Sequence, residues 1–135
     1  MDVQKPYLIS FPTIGSSDLG YIAVSESKVL PFEVKRIYWI CHTPETVTRG
    51  CHAHHEMQQI VIAVSGAIKI VLEDLAGDKM TICLDKPDIG LFIPKMYWRT
   101  INFSNDAVLL CLASTEYDEL DYIRNFDDFK SLRSK

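Results

Sequence analysis

The stretch RGCHAHHEMQQIVIAVSG occupies residues 49–66 and combines three closely spaced histidines with an apolar run that ends at a glycine. The run 59–64 has the length and β-branched content of a strand, and Ser65-Gly66 is a typical turn. If the histidine segment is also extended, His52 and His54 lie on one face, about 6.6 to 7 Å apart along the strand. His55 then points to the other side. The stretch therefore predicts a β structure in which two imidazoles share a surface.

Short apolar segments separated by turn residues continue on both sides of this stretch. The predicted strands are 21–24, 34–40, 59–64, 67–73, 79–84, 90–93, 97–103 and 107–114. Strands at this regular spacing are typical of an antiparallel sandwich or barrel. The sequence therefore predicts one all-β domain over residues 1–135, with strands to about residue 114.

The residues after 114 follow a different pattern. Apolar residues recur there at helical spacing, with acidic residues early and basic residues late, which predicts a C-terminal α-helix over about 116–133. We interpret the acidic residues of this segment as helix electrostatics rather than as a metal site.

Composition excludes several classes of function. The chain has 18 acidic and 14 basic residues, a net charge of −4 and no long basic run, which argues against a nucleic-acid partner. Neither a membrane-spanning segment nor a secretory signal is recognisable, so we expect no membrane partner and a cytoplasmic location. The cysteines at 41, 51, 83 and 111 form no C-x-x-C pair. They are predicted to be buried free thiols.

The paired histidines point to proton-transfer chemistry. A lone histidine is usually a structural group, but two unpaired imidazoles buried together beside Arg49 would be costly without a function. An imidazole titrates near neutral pH and can act as base and then as acid. Tyr38 and Tyr97 could add phenolic donors that stabilise an enediolate oxygen.

The His-x-His sequence ahead of a strand and a glycine turn resembles the first motif of the cupin superfamily. Cupin enzymes often bind a metal through two histidines, a glutamate and a third histidine in a second motif. In this chain Gln59 takes the position of the glutamate, and Arg99 that of the last histidine. An amide and a guanidinium are poor replacements for these ligands, so no catalytic metal and no other cofactor are expected. Arg99, with Arg49 and Arg36, instead suits an anionic ligand such as a diphosphate.

Three longer stretches carry a closer resemblance. PFEVKRIYWI (31–40), RGCHAHHEMQQIVIAVSG (49–66) and FSNDAVLLCLASTEYDELDYIRNFDDF (103–129) are similar to nucleoside-diphosphate-sugar 3,4-ketoisomerases of the WxcM/FdtA type. The resemblance implies a cupin-like jelly-roll barrel, a homodimer with exchanged strands, and a dTDP-linked keto-sugar as substrate. It also implies conversion of dTDP-4-keto-6-deoxy-D-glucose to its 3-keto isomer, for 3-amino-3,6-dideoxy sugars of surface glycans such as O-antigen.

The resemblance also assigns candidate site residues. Its H-A-H motif falls on His52 and His54, the preceding arginine on Arg49, and its K-R-x-Y segment on residues 35–38. The expected catalytic residues are His52, His54, Tyr38 and Arg49, and the expected substrate-binding residues are Arg36, Arg99, Tyr97 and Gln59. The chain departs from the family at residues 17–20, where Ser-Asp-Leu-Gly replaces Asp-x-Arg-Gly, and at position 99, where some relatives carry histidine.

Three other functions are compatible with the sequence. The first is a metal-dependent cupin enzyme that uses His52 and His54, for which bound metal and sensitivity to chelators would be diagnostic. The second is a non-catalytic module that binds a nucleotide sugar without turnover. The third is a nucleotide-sugar epimerase of related architecture, whose product would keep the ketone at C4.

Overall fold

The computed structural model describes residues 4–134. Residues 1–3 and Lys135, which the predicted domain includes, lie outside the described residues. The strands of the described part are β1 Tyr7–Ser10, β2 Thr13–Ser16, β3 Gly20–Ala23, β4 Arg36–Cys41, β5 Thr48–His54, β6 Gln59–Ser65, β7 Ile68–Glu73, β8 Lys79–Leu84, β9 Ile89–Ile93, β10 Trp98–Phe103, β11 Val108–Ala113 and β12 Tyr122–Ile123. A single α-helix in this part, α1, spans Phe126–Ser131.

Most strands belong to two antiparallel sheets that pack face to face. The first sheet has the order β1-β9-β6-β11-β4 and the second β12-β5-β10-β7-β8. The main core lies between them and takes inward-facing residues from both, for example Val61 and Leu109 from the first sheet and Ile70 and Ile101 from the second. This arrangement confirms the predicted all-β class with antiparallel strands.

Strand β6 is buried on both faces, which explains its continuous apolar sequence. On one side Val61 and Ala63 enter the main core, and on the other Ile60 and Ile62 pack in a second cluster together with Phe11. The side chains that cover this outer face of the sheet come from the N-terminal segment and from the loop before β4. A strand covered on both sides needs apolar residues at every position rather than at alternate ones.

The N-terminal hairpin β2–β3 leaves apolar side chains on the surface. Ile14, Tyr21 and Ile22 are each more than 60% exposed. A cavity of about 660 Å³ lies beside the hairpin, bordered by Phe11, Tyr21 and other residues of the hairpin and the first sheet. The hairpin therefore offers an apolar surface outside the main core.

The predicted helix over 116–133 is wrong in extent. Residues 119–121 form a 3₁₀ turn, Tyr122–Ile123 pairs with β5, and the α-helix begins only at Phe126. Asn125 sets this start because its side chain accepts a hydrogen bond from the Asp128 N–H at 3.1 Å. Pairing with β5 overrides the helical spacing of the preceding segment, and Leu120 is left 87% exposed.

The prediction of buried cysteines holds for one of the four. All four lie within the described residues and are free thiols, but Cys41, Cys51 and Cys83 are exposed and only Cys111 is buried. Cys41 and Cys83 are on outward-facing strand positions, where alternation directs side chains to solvent. Within residues 4–134, no helix is long and apolar enough to cross a membrane.

Candidate active site

A β-bulge in β5 sets the position of the histidines. Opposite β10, Arg99 pairs with His52 but Thr100 pairs with Gly50, so Cys51 is an extra residue. Gly50 and Cys51 have φ values of 82° and 57°, in the left-handed region. A Cβ on Gly50 would lie 2.9 Å from the Arg99 carbonyl oxygen, so only glycine fits there. The bulge places His52 directly across from Arg99.

A cavity of about 230 Å³ opens between the two sheets at this point. Five residues expected at the site line it, and apolar core residues complete its wall together with Gly50, Tyr122 and Arg124. The lining residues are Tyr38, Ile40, Arg49, Gly50, His52, Gln59, Val61, Arg99, Ile101, Leu109, Cys111, Tyr122 and Arg124. The strands therefore bring Tyr38 of β4, Arg49 and His52 of β5, Gln59 of β6 and Arg99 of β10 to one concave surface.

The two histidines are adjacent and perpendicular. Their ring centroids are 4.9 Å apart with an angle of 84° between the planes. His52 is half-buried and lines the cavity, whereas His54 is 1% exposed and lies beside it. The predicted shared surface is present, with His52 in the position open to a ligand.

Each imidazole has one nitrogen held by an acceptor. Nδ1 of His52 lies 2.9 Å from the Gly50 carbonyl oxygen, and Nδ1 of His54 lies 3.1 Å from the Asp121 carboxylate. Because both partners only accept, Nδ1 carries the proton in each ring and Nε2 keeps its lone pair. Among the described residues, Nε2 of His54 is buried and has no hydrogen-bond partner.

Both histidines are neutral at physiological pH. Burial lowers the pKa of His52 to about 4 and that of His54 to about 2, and the Arg99 guanidinium acts in the same direction. A neutral imidazole is able to accept a proton without first losing one. The pair therefore has the protonation state of a general base.

Arg99, Gln59 and Tyr38 form a directional chain of hydrogen bonds. Arg99 is fully buried and donates to the Gln59 side-chain oxygen and, at 3.1 Å, to the Tyr97 carbonyl. Since Arg99 has no acceptor, Gln59 must turn its oxygen to it, and the amide N–H then reaches the Tyr38 oxygen at 3.0 Å. Burial raises the pKa of Tyr38 above its usual range, so the phenol stays protonated, and it shares a hydrogen bond with the Cys111 thiol.

Two more arginines lie at the mouth of the cavity. Arg49 and Arg124 are exposed and line the opening, and Arg124 stacks 4.1 Å over the Tyr122 ring. Arg124 also pairs with Glu119 through two hydrogen bonds of 2.6 and 2.9 Å. The mouth of the cavity therefore carries two guanidinium groups, and that of Arg124 is paired with the exposed carboxylate of Glu119.

Two expected substrate-binding residues do not line the cavity. Tyr97 packs in the main core, because it precedes β10 on the inward side, and only its backbone carbonyl contacts Arg99. Arg36 lies behind the wall, where its guanidinium donates to the Met57 sulfur at 3.0 Å and lies 5.1 Å from the Tyr38 ring centre.

Sequence reasoning missed Asp121, Tyr122, Arg124 and Cys111. The first three belong to the segment interpreted as one long helix, so they were not considered as site residues. A signal was nevertheless present, because the tail sequence Y-D-E-x-D-Y-I-R was one of the stretches that carry the family resemblance. Cys111 was interpreted only as a core thiol, although it faces Tyr38 across β4 and β11.

The donor set does not fit a mononuclear metal ion of the cupin type. The described residues contain no group of three His, Cys, Asp or Glu side chains able to hold one. Gln59 is bonded to Arg99 and Tyr38, and the Arg99 cation beside the histidines would repel a metal.

The lowered histidine pKa values predict a loss of stability in acid. Below about pH 6.5 the unfolded chain protonates both histidines, whereas the folded chain does so only near the lowered pKa values of about 4 and 2. The unfolded state then binds more protons than the folded state, so the free energy of unfolding decreases as the pH is lowered. For His54 we expect a loss of about 2 kcal/mol between pH 7 and 5, measurable by urea unfolding.

The exposed His55 provides the control for this titration. His55→Asn should keep the same pH dependence, and His54→Gln should reduce it to the part that comes from His52. The carboxyl of Glu119 also titrates in acid, but at a lower pH. Arg124 donates to it and lowers its pKa to about 2, so its contribution to stability is lost only below the pH range in which the histidines act. A stability that stays constant or rises from pH 7 to 5 would contradict neutral buried histidines.

Comparisons with known proteins agree with this fold, which is that of a cupin-like jelly roll. The FdtA family model, described as WxcM-like, C-terminal, matches residues 4–134. A TDP-4-oxo-6-deoxy-alpha-D-glucose-3,4-oxoisomerase of Aneurinibacillus thermoaerophilus is 37% identical over 129 residues, which cover 95% of this chain and 92% of that protein. The chain belongs to the FdtA family.

Solved structures of related proteins have the same fold. A 3,4-ketoisomerase from Helicobacter canadensis is 38% identical, with a TM-score of 0.91 over 98% of this chain and 100% of that one. A histidine-to-asparagine variant of the 3,4-ketoisomerase QdtA from Thermoanaerobacterium thermosaccharolyticum, in complex with TDP-4-keto-6-deoxyglucose, is 35% identical. Its TM-score is 0.91 over 98% of this chain and 96% of that one. The predicted cupin-like fold is confirmed.

Proposed function

We propose that this protein is a 3,4-ketoisomerase that moves the ketone of dTDP-4-keto-6-deoxy-D-glucose from C4 to C3. The observation that carries the proposal is the cavity in which the neutral His52 faces the buried cation of Arg99. Membership of the FdtA family supports it, because a relative is named for this reaction and QdtA is known in complex with this ketosugar. The product would be a precursor of 3-amino-3,6-dideoxy sugars, as in O-antigen.

The carbon step needs one base in contact with the sugar. His52 removes the proton from C3, the C3–H electron pair becomes the C3–C4 double bond, and the C4 carbonyl oxygen takes the negative charge. The imidazolium then returns a proton to C4, while the proton of the C3 hydroxyl passes to the C4 oxygen, so that a C3 ketone and a C4 hydroxyl form. His52 is assigned this role because its ring lines the cavity and its Nε2 lone pair is available. His54 supports the His52 ring edge-on.

The oxygen atoms are served by the chain of Arg99, Gln59 and Tyr38. The Arg99 charge stabilises the enediolate from a buried position, where electrostatic effects are larger than in water. The Tyr38 hydroxyl, aligned by Gln59, moves the proton between the C3 and C4 oxygens. Sequence reasoning grouped Arg99 with the diphosphate ligands, but its complete burial favours a position at the sugar.

The diphosphate belongs at the mouth of the cavity. Arg49 and Arg124 present exposed guanidinium groups there, and forked hydrogen bonds to phosphate oxygens are the interaction they form best. Holding the nucleotide at the mouth positions the sugar beside His52, which contributes to the rate through orientation. Binding is expected to compete with Glu119 for Arg124.

We also propose that the reaction is metal-independent and that the protein is a homodimer. The unsuitable donor set around Arg99 supports the first proposal. The exposed apolar residues of the β2–β3 hairpin, Ile14, Tyr21 and Ile22, support the second, because a second copy would bury them. Size-exclusion chromatography with light scattering measures the mass directly.

Product identification tests the proposed activity. The protein is incubated with dTDP-4-keto-6-deoxy-D-glucose, and the sugar is followed by NMR. We expect the ketone carbon signal to move from C4 to C3. A product that keeps its ketone at C4 with changed configuration would identify an epimerase, and tight binding without conversion would identify a binding module. Either result would refute the ketoisomerase.

A further inference from the structure

Asp121 joins the C-terminal segment to the end of the histidine strand through an unusual concentration of hydrogen bonds. Four consecutive residues, 54–57, interact with this one residue. The His55 N–H donates to the Asp121 backbone carbonyl at 3.0 Å. The Glu56 and Met57 N–H groups donate to the Asp121 carboxylate at 2.8 and 3.1 Å.

The fourth bond comes from the imidazole of His54. Its Nδ1 lies 3.1 Å from Oδ2 of Asp121, the same oxygen that accepts from the Met57 N–H. Backbone pairing of Tyr122 with His54 fixes the carboxylate in place. A carboxylate fixed by two backbone donors has only acceptor capacity left for the imidazole, so the proton of His54 must lie on Nδ1.

We infer that Asp121 is a positioning residue that sets the tautomer and the ring orientation of His54, and through that ring the orientation of His52. The inference extends the proposed function and rests on it. The rings of His54 and His52 are in edge contact, with their centroids 4.9 Å apart. The Tyr122 ring packs on both, with centroid distances of 4.4 Å to His54 and 5.1 Å to His52. A rotation of His54 would therefore displace the ring assigned as the base.

Asp121→Asn changes this arrangement with almost no change in size. Asparagine has one acceptor oxygen for three donors, so one of two conflicts follows. If its amide nitrogen takes the position of Oδ2, it faces both His54 and the Met57 N–H: it donates to Nδ1, drives the imidazole proton to Nε2 and opposes the Met57 donor. If it faces the Glu56 N–H, two donors oppose each other and the turn shifts. We expect kcat to fall about 100-fold with little change in KM, since a small misplacement of a reacting group has effects of this size.

Asp118→Asn is the matched control. Asp118 lies in the same turn, and its carboxylate accepts from the Leu120 N–H at 3.0 Å, whereas the carboxylate bonded to His54 is that of Asp121. This variant removes the same charge from the same segment. Its kcat should stay close to that of the wild type, whereas a purely structural effect of the turn would lower kcat equally in both variants.

The deciding measurement is the tautomer of His54, read from the imidazole ¹⁵N NMR signals of ligand-free, histidine-labelled protein at pH 7. His54→Gln identifies the signal by its loss. We expect the Nδ1–H tautomer in the wild type and in Asp118→Asn. In Asp121→Asn we expect the Nε2–H form or an exchange-averaged signal. An Nε2–H tautomer in the wild type would overturn the inference even if Asp121→Asn does not fold. An unchanged tautomer and kcat in a folded Asp121→Asn protein would also overturn it.

This readout needs no substrate. If the wild type holds the Nδ1–H tautomer but converts no ketosugar, the proposed function fails and the assignment of Asp121 to the tautomer stands. If conversion is normal but the tautomer is Nε2–H, the assignment of Asp121 fails and the proposed function stands.

Discussion

His52→Asn is expected to lower kcat by about 10³- to 10⁴-fold, at the upper end of what general acid–base catalysis contributes. The asparagine can keep a hydrogen bond to the Gly50 carbonyl, so the bulge should be retained, but it has no lone pair basic enough to remove a carbon-bound proton. Binding of dTDP should change little, because the diphosphate site is formed by other residues. Turnover is measured by NMR, and binding by isothermal titration calorimetry.

His55→Asn controls for the loss of a histidine from the same strand end. His55 is exposed on the opposite side of β5, and its backbone alone contacts Asp121. This variant should keep wild-type turnover. If His52→Asn retains more than a tenth of wild-type kcat while His54→Asn does not, the assignment of the base to His52 is wrong.

Arg99→Met is expected to lower kcat by about 10²- to 10³-fold, the usual cost of removing a donor from a site that stabilises a developing oxyanion. Methionine has a similar length and is apolar, so it suits the buried position. Because Arg99 lies deep in the cavity and is assigned to the enediolate, which exists only during the reaction, KM should change little. Steady-state kinetics separate the two constants.

Arg124→Met gives the matched comparison, since Arg124 lines the same cavity at its exposed mouth. A residue that binds the diphosphate in substrate and transition state alike should raise KM and leave kcat nearly unchanged. The reverse pattern, with Arg99→Met raising only KM and Arg124→Met lowering only kcat, would exchange the roles assigned to the two arginines.

The sheet architecture and the shared surface of the histidines could be predicted from the sequence because both depend on short-range sequence patterns. Strand 59–64 follows from its length and β-branched content, and the shared face of His52 and His54 follows from a period of two residues, which the structure retains. The predicted strand 97–103 corresponds to β10, which begins one residue later, at Trp98. Tyr97 lies just before the strand and packs in the core, whereas Arg99 lies within the strand and lines the site.

The C-terminal segment could not be predicted in the same way. Its apolar spacing is helical, but long-range contacts decide its structure, since Asp121 bonds to residues more than 60 positions earlier in the chain. Local periodicity carries no information about such contacts. The bulge at Gly50 and Cys51 is also invisible to a pattern of strict alternation, although Arg-Gly-Cys before the histidines marks its position.

The central claim is that neutral histidines move the proton without a metal ion. It is tested most directly by turnover in deuterium oxide after treatment with a strong chelator, with metal content checked by elemental analysis. We expect kcat to equal that of untreated protein and the 3-keto product to carry deuterium at C4. Loss of turnover on chelation, with recovery on addition of a divalent ion, would contradict the account.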